Sequence, residues 1–182
     1  GIPRIPYRER IQGQGSATYR HKKQTGGAGQ FAEISLRVEP LESDPSREDP
    51  LEFVSEIVGG VVSRSFWPAI EKGVREAMTQ GIVSGNPMQD VRVVIYDGKE
   101  HPVDSKEIAF KTAGKHAFRE AVRKAHAVVT EPVYLLDINV PDEYVGDVLG
   151  DLNGNKRGRV IGMEQVGSGR TIVSAHVPLM EC

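Results

Sequence analysis

Five histidines and one glycine-rich stretch hold most of the chemical potential of this sequence. Residues 22–31, KKQTGGAGQF, set two lysines ahead of a glycine cluster, a composition compatible with a phosphate cradle, a hairpin turn or a loop that reaches toward a partner. A Walker-type phosphate loop requires a lysine followed by Ser or Thr where the loop opens into a helix. Backbone N–H groups, the ammonium and a metal-bound hydroxyl then converge on the phosphates. Here the glycines lead into Gln30, Phe31 and a strand-like run, which argues against nucleotide binding. His21, His101, His116, His126 and His176 form no HxxxH pair or other metal-ligand spacing, and no nearby Ser or Cys nucleophile suggests a triad. No catalytic residue and no metal site is assigned. His101 stands apart, because it sits between a strand and a helix, near Lys99, with Pro102 restricting its backbone to extended shapes. It can protrude.

The elements that must carry these groups follow from periodicity. FAEISLRVEP alternates with Ala32, Ile34, Leu36 and Val38 on one side and Glu33, Ser35, Arg37 and Glu39 on the other, the pattern of a half-buried strand. SATYRHKKQ before it is extended in character, so residues 16–38 read as two antiparallel strands and the glycine loop as a hairpin tip. LESDPSREDP reads as an exposed connection. Apolar residues at Phe66, Ile70, Val74 and Ala77 predict a helix over roughly 66–80, with Ser65 placed to cap it, Pro68 in its first turn and Gly81 to stop it. DVRVVIYDG predicts another strand through Val91, Val93 and Ile95. A second helix is expected from near Asp104, which with Glu107 fits a capping box, to about Ala125, burying Phe110, Ala113, Ala117, Ala121 and Ala125. From residue 133 the pattern restarts as a strand, a short helix carrying Tyr144, Val148 and Leu152, and two strands around Gly167, Ser168 and Gly169. This is βαββ, most of a ferredoxin-like unit. Such a unit continues with a helix and a fourth strand, so the second domain reads as truncated and the chain as a fragment of something longer.

The 182 residues, 38% of them hydrophobic, suffice for one or two packed domains without disulfides. The net charge of −2 excludes a global field that attracts nucleic acid, so any such role falls to local patches. Residues 1–40 hold seven Lys/Arg against three Asp/Glu, whereas residues 41–56 hold one against six. On the second helix Lys111, Lys115, Arg119 and Arg123 recur at every fourth position. Two readings stand: a solvated face with Glu107–Lys111 and Glu120–Lys124 pairs, or a stripe that faces RNA. The one cysteine, Cys182, permits no intrachain disulfide and fits a reducing cytoplasm. No run of about 20 apolar residues and no signal-peptide core is present, so no membrane association is expected.

In order along the chain, YRERI, QTGGAGQF, VEPL, FVSEIVGGVV, AIEKGVREAM, VVIYDGKEHPVDSKEIAFKTAG, EPVYLLDINVP and EYVGDVLGDLNGNKRG resemble bacterial elongation factor G, over its fourth domain and the first part of its fifth. The resemblance implies an α+β fold. Residues 1–130 would form a two-layer arm of ribosomal-protein type with a left-handed βαβ crossover, and residues 131–182 a partial ferredoxin-like unit. The arm of this factor enters the small-subunit decoding centre during tRNA–mRNA translocation. Its tip is made of two loops, by motif match residues 24–30 and 97–103, which puts Gln24, Thr25, Gly26, Gly27, Gly29, Gln30 and His101 against tRNA and mRNA. Lys22, Lys23, Lys111, Lys115, Arg119 and Arg123 become candidates for ribosomal RNA. The parent would be a monomeric, cytoplasmic, ribosome-dependent GTPase that uses GTP and Mg; no cofactor is expected for the fragment, nor enzymatic activity. Two departures from the family's pattern are compatible with an alternative, a paralogue acting in recycling or special-condition translation: Ala28 stands where the translocase commonly has Arg, and GDLNGNKRG is one residue longer than usual. A free-standing RNA-binding module would need its own complete second domain, and a small-molecule kinase of the arm's fold would need a glycine loop entering a helix.

Overall fold

A computed structural model of the chain describes residues 6–178. Cys182, the cysteine on which the redox reading rests, lies outside them. The chain divides into two compact units, one of which runs from Arg8 to Thr130. Its elements in order are β1 (Arg8–Ile11), β2 (Gly15–Lys23), β3 (Gln30–Pro40), β4 (Leu51–Ser55), α1 (Trp67–Gln80), β5 (Val91–Lys99), α2 (Glu107–Arg123) and β6 (Ala127–Thr130).

Four of these strands form one sheet in the order β2-β3-β5-β4. β2 and β3 are the antiparallel hairpin expected from the alternation, in register from Gly15↔Val38 to Lys23↔Gln30. β4 runs parallel to β5, the pair being joined through α1. β4 escapes the sequence reading, as do β1 and β6, which pair antiparallel as a separate ribbon. The inward face of β3, Ala32, Ile34, Leu36 and Val38, is fully buried. It shares a core with Ile70 and Val74 of α1 and with Phe110, Ala113, Ala117 and Phe118 of α2. Both helices lie on this face, which makes the unit two-layered.

Two expected helix caps are corrected. Ser65 lies within a 3-10 turn over Arg64–Phe66, and α1 starts at Trp67 from Phe66 with no side-chain cap. α2 starts at Glu107 rather than near Asp104, its N-cap position is Lys106, and it too lacks a side-chain cap. Asp104 is engaged elsewhere. Pro68 in the first turn of α1 and Gly81 at its end, with φ of 72°, are as expected.

The other unit runs through β7 (Val133–Pro141), α3 (Val145–Gly154), β8 (Arg159–Gln165) and β9 (Arg170–Pro178), with sheet order β7-β9-β8. This is the βαββ arrangement read from the sequence, except that Tyr144 belongs to a 3-10 turn ahead of α3. Leu152, Val173, Ala175 and Val177 form its buried core. Among the described residues no helix is long and apolar enough to cross a membrane.

Candidate nucleic-acid interface

The glycine loop joins the outer ends of β2 and β3, and Lys22, Lys23, Gln24, Thr25, Gly26, Gly27 and Ala28 are all exposed. Gly26 and Gly27 adopt φ of 81° and 128°, which side-chain-bearing residues rarely adopt, while a Cβ at either would meet nothing within 4 Å. Their requirement is conformational, and it leaves bare backbone at the apex. Gly29 is constrained differently. A Cβ there would lie 2.9 Å from Asp104 Cγ, so the lack of a side chain lets a second loop close against the first.

That second loop spans residues 100–106, between β5 and α2. The motif match put its start at 97, but Asp97, Gly98 and Lys99 still belong to β5. Three bonds tie it to the hairpin or to itself, two of them through the Ser105 hydroxyl. The Ser105 hydroxyl donates to the Phe31 carbonyl at 2.7 Å and accepts the His101 N–H at 2.8 Å, while the Phe31 N–H donates to the Asp104 carbonyl at 2.9 Å. The tip is therefore one two-loop structure. The side chain of His101 is 48% exposed there. Its Nδ1 accepts backbone N–H groups of Val103 at 3.2 Å and Asp104 at 3.1 Å. A carboxylate oxygen of Asp104 lies 3.7 Å from the same nitrogen, too far to compete with those bonds. Nδ1 is thus unprotonated and the proton sits on Nε2. Such a surface donates to phosphate, carbonyl or hydroxyl oxygen, the acceptors that RNA backbones and base edges present.

The structure brings Gln24, Thr25, Gly26, Gly27, Gly29, Gln30 and His101 to this one end, with a qualification for Gln30. Its side-chain oxygen accepts from His21 Nε2 at 2.9 Å, so the amide braces the hairpin. Arg20, Phe31, Asp104 and Ser105 also belong here and escape the sequence reading. The Phe31 ring lies 5.8 Å from the Arg20 guanidinium carbon and 6.4 Å from the His101 ring centre. Val103, 76% exposed, is an apolar point beside them.

The basic helix face is divided. Lys111 pairs with Glu76 of α1 at 2.6 Å, Lys115 approaches the same carboxylate at 3.8 Å, and Arg119 donates to Gln80 at 2.6 Å. Lys124 donates to the Ser16 carbonyl. The expected pairs within α2 give way to these contacts, because α1 packs alongside Lys111 and β2 reaches Lys124. Arg123 is exposed. Further along α2, His116 stacks on Tyr19 with ring centres 4.8 Å apart. Burial, then the charges of Arg119 and Lys115, push its pKa below the usual histidine value.

The open face of the sheet carries its own charge pattern. Arg20–Glu33, Arg37–Glu39, Arg37–Glu56 and Arg92–Glu52 pair across or along the strands at 2.7–3.1 Å. Hydrogen bonds from Arg37 hold the Glu56 and Glu39 carboxyls below their usual range. Neutralised in this way, the face lacks the surplus of cations that tracks a phosphate backbone. The exposed Lys22, Lys23 and His101 leave the tip as the better candidate. Among the described residues no group of three His, Cys, Asp or Glu is placed to hold a metal ion.

Residues 3–126 match the family model for elongation factor G, domain IV, and residues 128–182 that for the elongation factor G C-terminus. The chain is 45% identical over 181 residues to an elongation factor G-like protein of Thermotoga maritima, covering all of this chain and 26% of the relative. It is 46% identical over 182 residues to elongation factor G of Petrotoga mobilis, again covering all of this chain and 26% of the relative. A crystal structure of a Thermus thermophilus protein superposes with a TM-score of 0.78 at 40% identity, over all of this chain and 26% of that one. The chain thus spans about a quarter of the length of the relatives it matches. With the two family models together matching residues 3–126 and 128–182, the chain belongs to the elongation factor G family.

Proposed function

We propose that this chain is the arm, and the first part of the domain after it, of a ribosome-bound translational GTPase that promotes tRNA–mRNA translocation. Residues 1–130 act as the arm and residues 131–182 begin the following domain. The observation that carries this reading is the tip. Two loops from distant parts of the chain are bonded into one projection that offers bare glycine backbone, an imidazole N–H and exposed lysines. Such a surface engages RNA through shape and backbone contacts and reads no sequence, which suits a factor that acts on every codon. Gln24, Thr25, Gly26, Gly27, Gly29 and His101 contact tRNA and mRNA in the small-subunit decoding centre, with Gln30 as a brace. Lys22, Lys23 and Arg123 are the basic residues freest to meet ribosomal RNA. Binding and hydrolysis of GTP, with Mg, belong to the parent protein, which works as a monomer in the cytoplasm.

Ala28 favours a second reading. Without a cation at that point of the loop, a paralogue that acts in ribosome recycling or special-condition translation is the alternative, and one of the relatives is itself described as elongation factor G-like. Ribosome-dependent GTP hydrolysis and single-round translocation by the full-length protein separate the two. Translocation at a rate coupled to hydrolysis supports the first. Subunit splitting without translocation supports the second.

A further inference from the structure

Ser105 is half-buried behind the exposed His101, Pro102 and Val103, and among the described contacts it is the only residue through which Phe31 of the hairpin is bonded to the backbone of His101. We propose that Ser105 is the positioning residue of the tip: its hydroxyl clamps the two loops together and thereby holds His101 as an Nε2–H donor pointing outward. This deepens the function proposed above and rests on it for its consequence, but not for its geometry.

Hydrogen-bond directions support the clamp. The Phe31 carbonyl can only accept, so the Ser105 hydroxyl proton must point to it at 2.7 Å, leaving the oxygen's lone pairs for the His101 N–H at 2.8 Å. The Ser105 N–H returns to the His101 carbonyl at 3.2 Å, closing residues 101–105 into a tight turn. Inside that turn the N–H groups of Val103 and Asp104 converge on His101 Nδ1. An imidazole with two donors aimed at Nδ1 must carry its proton on Nε2. The Phe31 N–H to Asp104 carbonyl bond and the Cβ-free side of Gly29 let the loops come close enough for the serine oxygen to span them. The hydroxyl bonds partners 74 residues apart in sequence, beside the backbone bond from Phe31 to Asp104. Alanine at 105 deletes the link without adding bulk, and threonine retains it.

Two measurements test the clamp. In the 182-residue chain with labelled histidine nitrogens, at a pH where His101 is neutral, the His101 resonances should report the Nε2–H form, and the Phe31, Val103 and Asp104 amides should exchange slowly. Ser105→Ala should mix the two tautomers and speed exchange at those amides while the α2 amides around Phe110 and Ala113 stay protected, and Ser105→Thr should restore both signatures. An unchanged His101 tautomer in Ser105→Ala would overturn the proposal, as would loss of protection throughout α2, which would make Ser105 a general packing residue. In the full-length protein, Ser105→Ala should slow single-round translocation about two- to tenfold, the worth of one hydrogen bond, and have little further effect once His101 is alanine. If the tautomer signature is lost while translocation is unaffected, the clamp stands and the role of the tip in translocation falls.

Discussion

Replacing Glu9 by glutamine should destabilise the first unit far more than a surface charge change does. Glu9 is 0% exposed, yet it is a carboxylate. Its Oε1 accepts the N–H groups of Ile82 at 2.7 Å and Val83 at 3.0 Å, and its Oε2 accepts the N–H at 2.8 Å and the hydroxyl at 2.7 Å of Ser84. The turn that leaves α1 is thus wrapped around a side chain of β1. Burial by itself raises this carboxyl's pKa, but the bonds from Ile82, Ser84 and Val83 outweigh it and hold it below the usual value. Glutamine of the same shape turns one oxygen into an NH2 group facing two donors. Leaving buried donors unmatched costs about 1–3 kcal/mol each, so a total of about 2–6 kcal/mol is expected. Since the folded pKa is depressed, the stabilisation is complete above the unfolded value of about 4.3 and is lost as pH falls through the folded pKa. Urea unfolding at pH 7 and at a series of pH values below 5 measures both effects. Ser84→Ala, which removes one donor, should cost about 1 kcal/mol and couple with Glu9→Gln in a double-mutant cycle. A loss under about 0.5 kcal/mol for Glu9→Gln, on the order of an ordinary surface change, would refute the reasoning.

Other outcomes follow from the packing. A Cβ at Gly73 would lie 2.1 Å from the Lys111 carbonyl oxygen where α1 crosses α2, so Gly73→Ala should cost about 1–3 kcal/mol in denaturant despite its better helix propensity. His116 has a depressed pKa, so the unfolded chain takes up a proton that the folded chain refuses, and stability should decline as pH falls below about 6.5. His116→Phe, which keeps the stack on Tyr19, should flatten that slope in unfolding measurements from pH 7 to 5. Hydrogen exchange should be faster over residues 133–178 than over α2, because the described buried core of that unit is limited to Leu152, Val173, Ala175 and Val177; equal protection would count against that ranking.

What the sequence makes legible depends on whether an element carries its own periodicity. β3 alternates because one face is buried against two helices and the other holds an ionic ladder, and α2 shows its small apolar residues at every turn because α1 and the sheet lie close to them. β1, β4 and β6 are four or five residues long, too short for a periodic signal, and β1 finds its partner more than a hundred residues away. Glu9 in RERI reads as one more surface charge, since nothing local shows that the turn after α1 will surround it. Asp104 fits a capping box by spacing alone, whereas in the fold its carbonyl accepts the Phe31 N–H of the hairpin. Lys111 has a partner four residues back in Glu107, but Glu76 on the neighbouring helix is the one it meets. The tip was legible as two loops by resemblance, whereas Ser105 and Phe31, which join them, lacked any signal within their own stretch of sequence.

The most direct test of the tip's role is to measure GTP hydrolysis and translocation side by side, by rapid mixing on ribosomes, for the full-length protein and its His101→Ala variant. The substitution removes the outward N–H and the acceptor that braces Val103 and Asp104, a loss worth about 0.5–1.5 kcal/mol at the contact, or about two- to tenfold in rate. Translocation should slow by that factor while hydrolysis keeps its rate. An unaltered translocation rate, or equal losses in both steps, would contradict the assignment of this tip to the moving tRNA and mRNA.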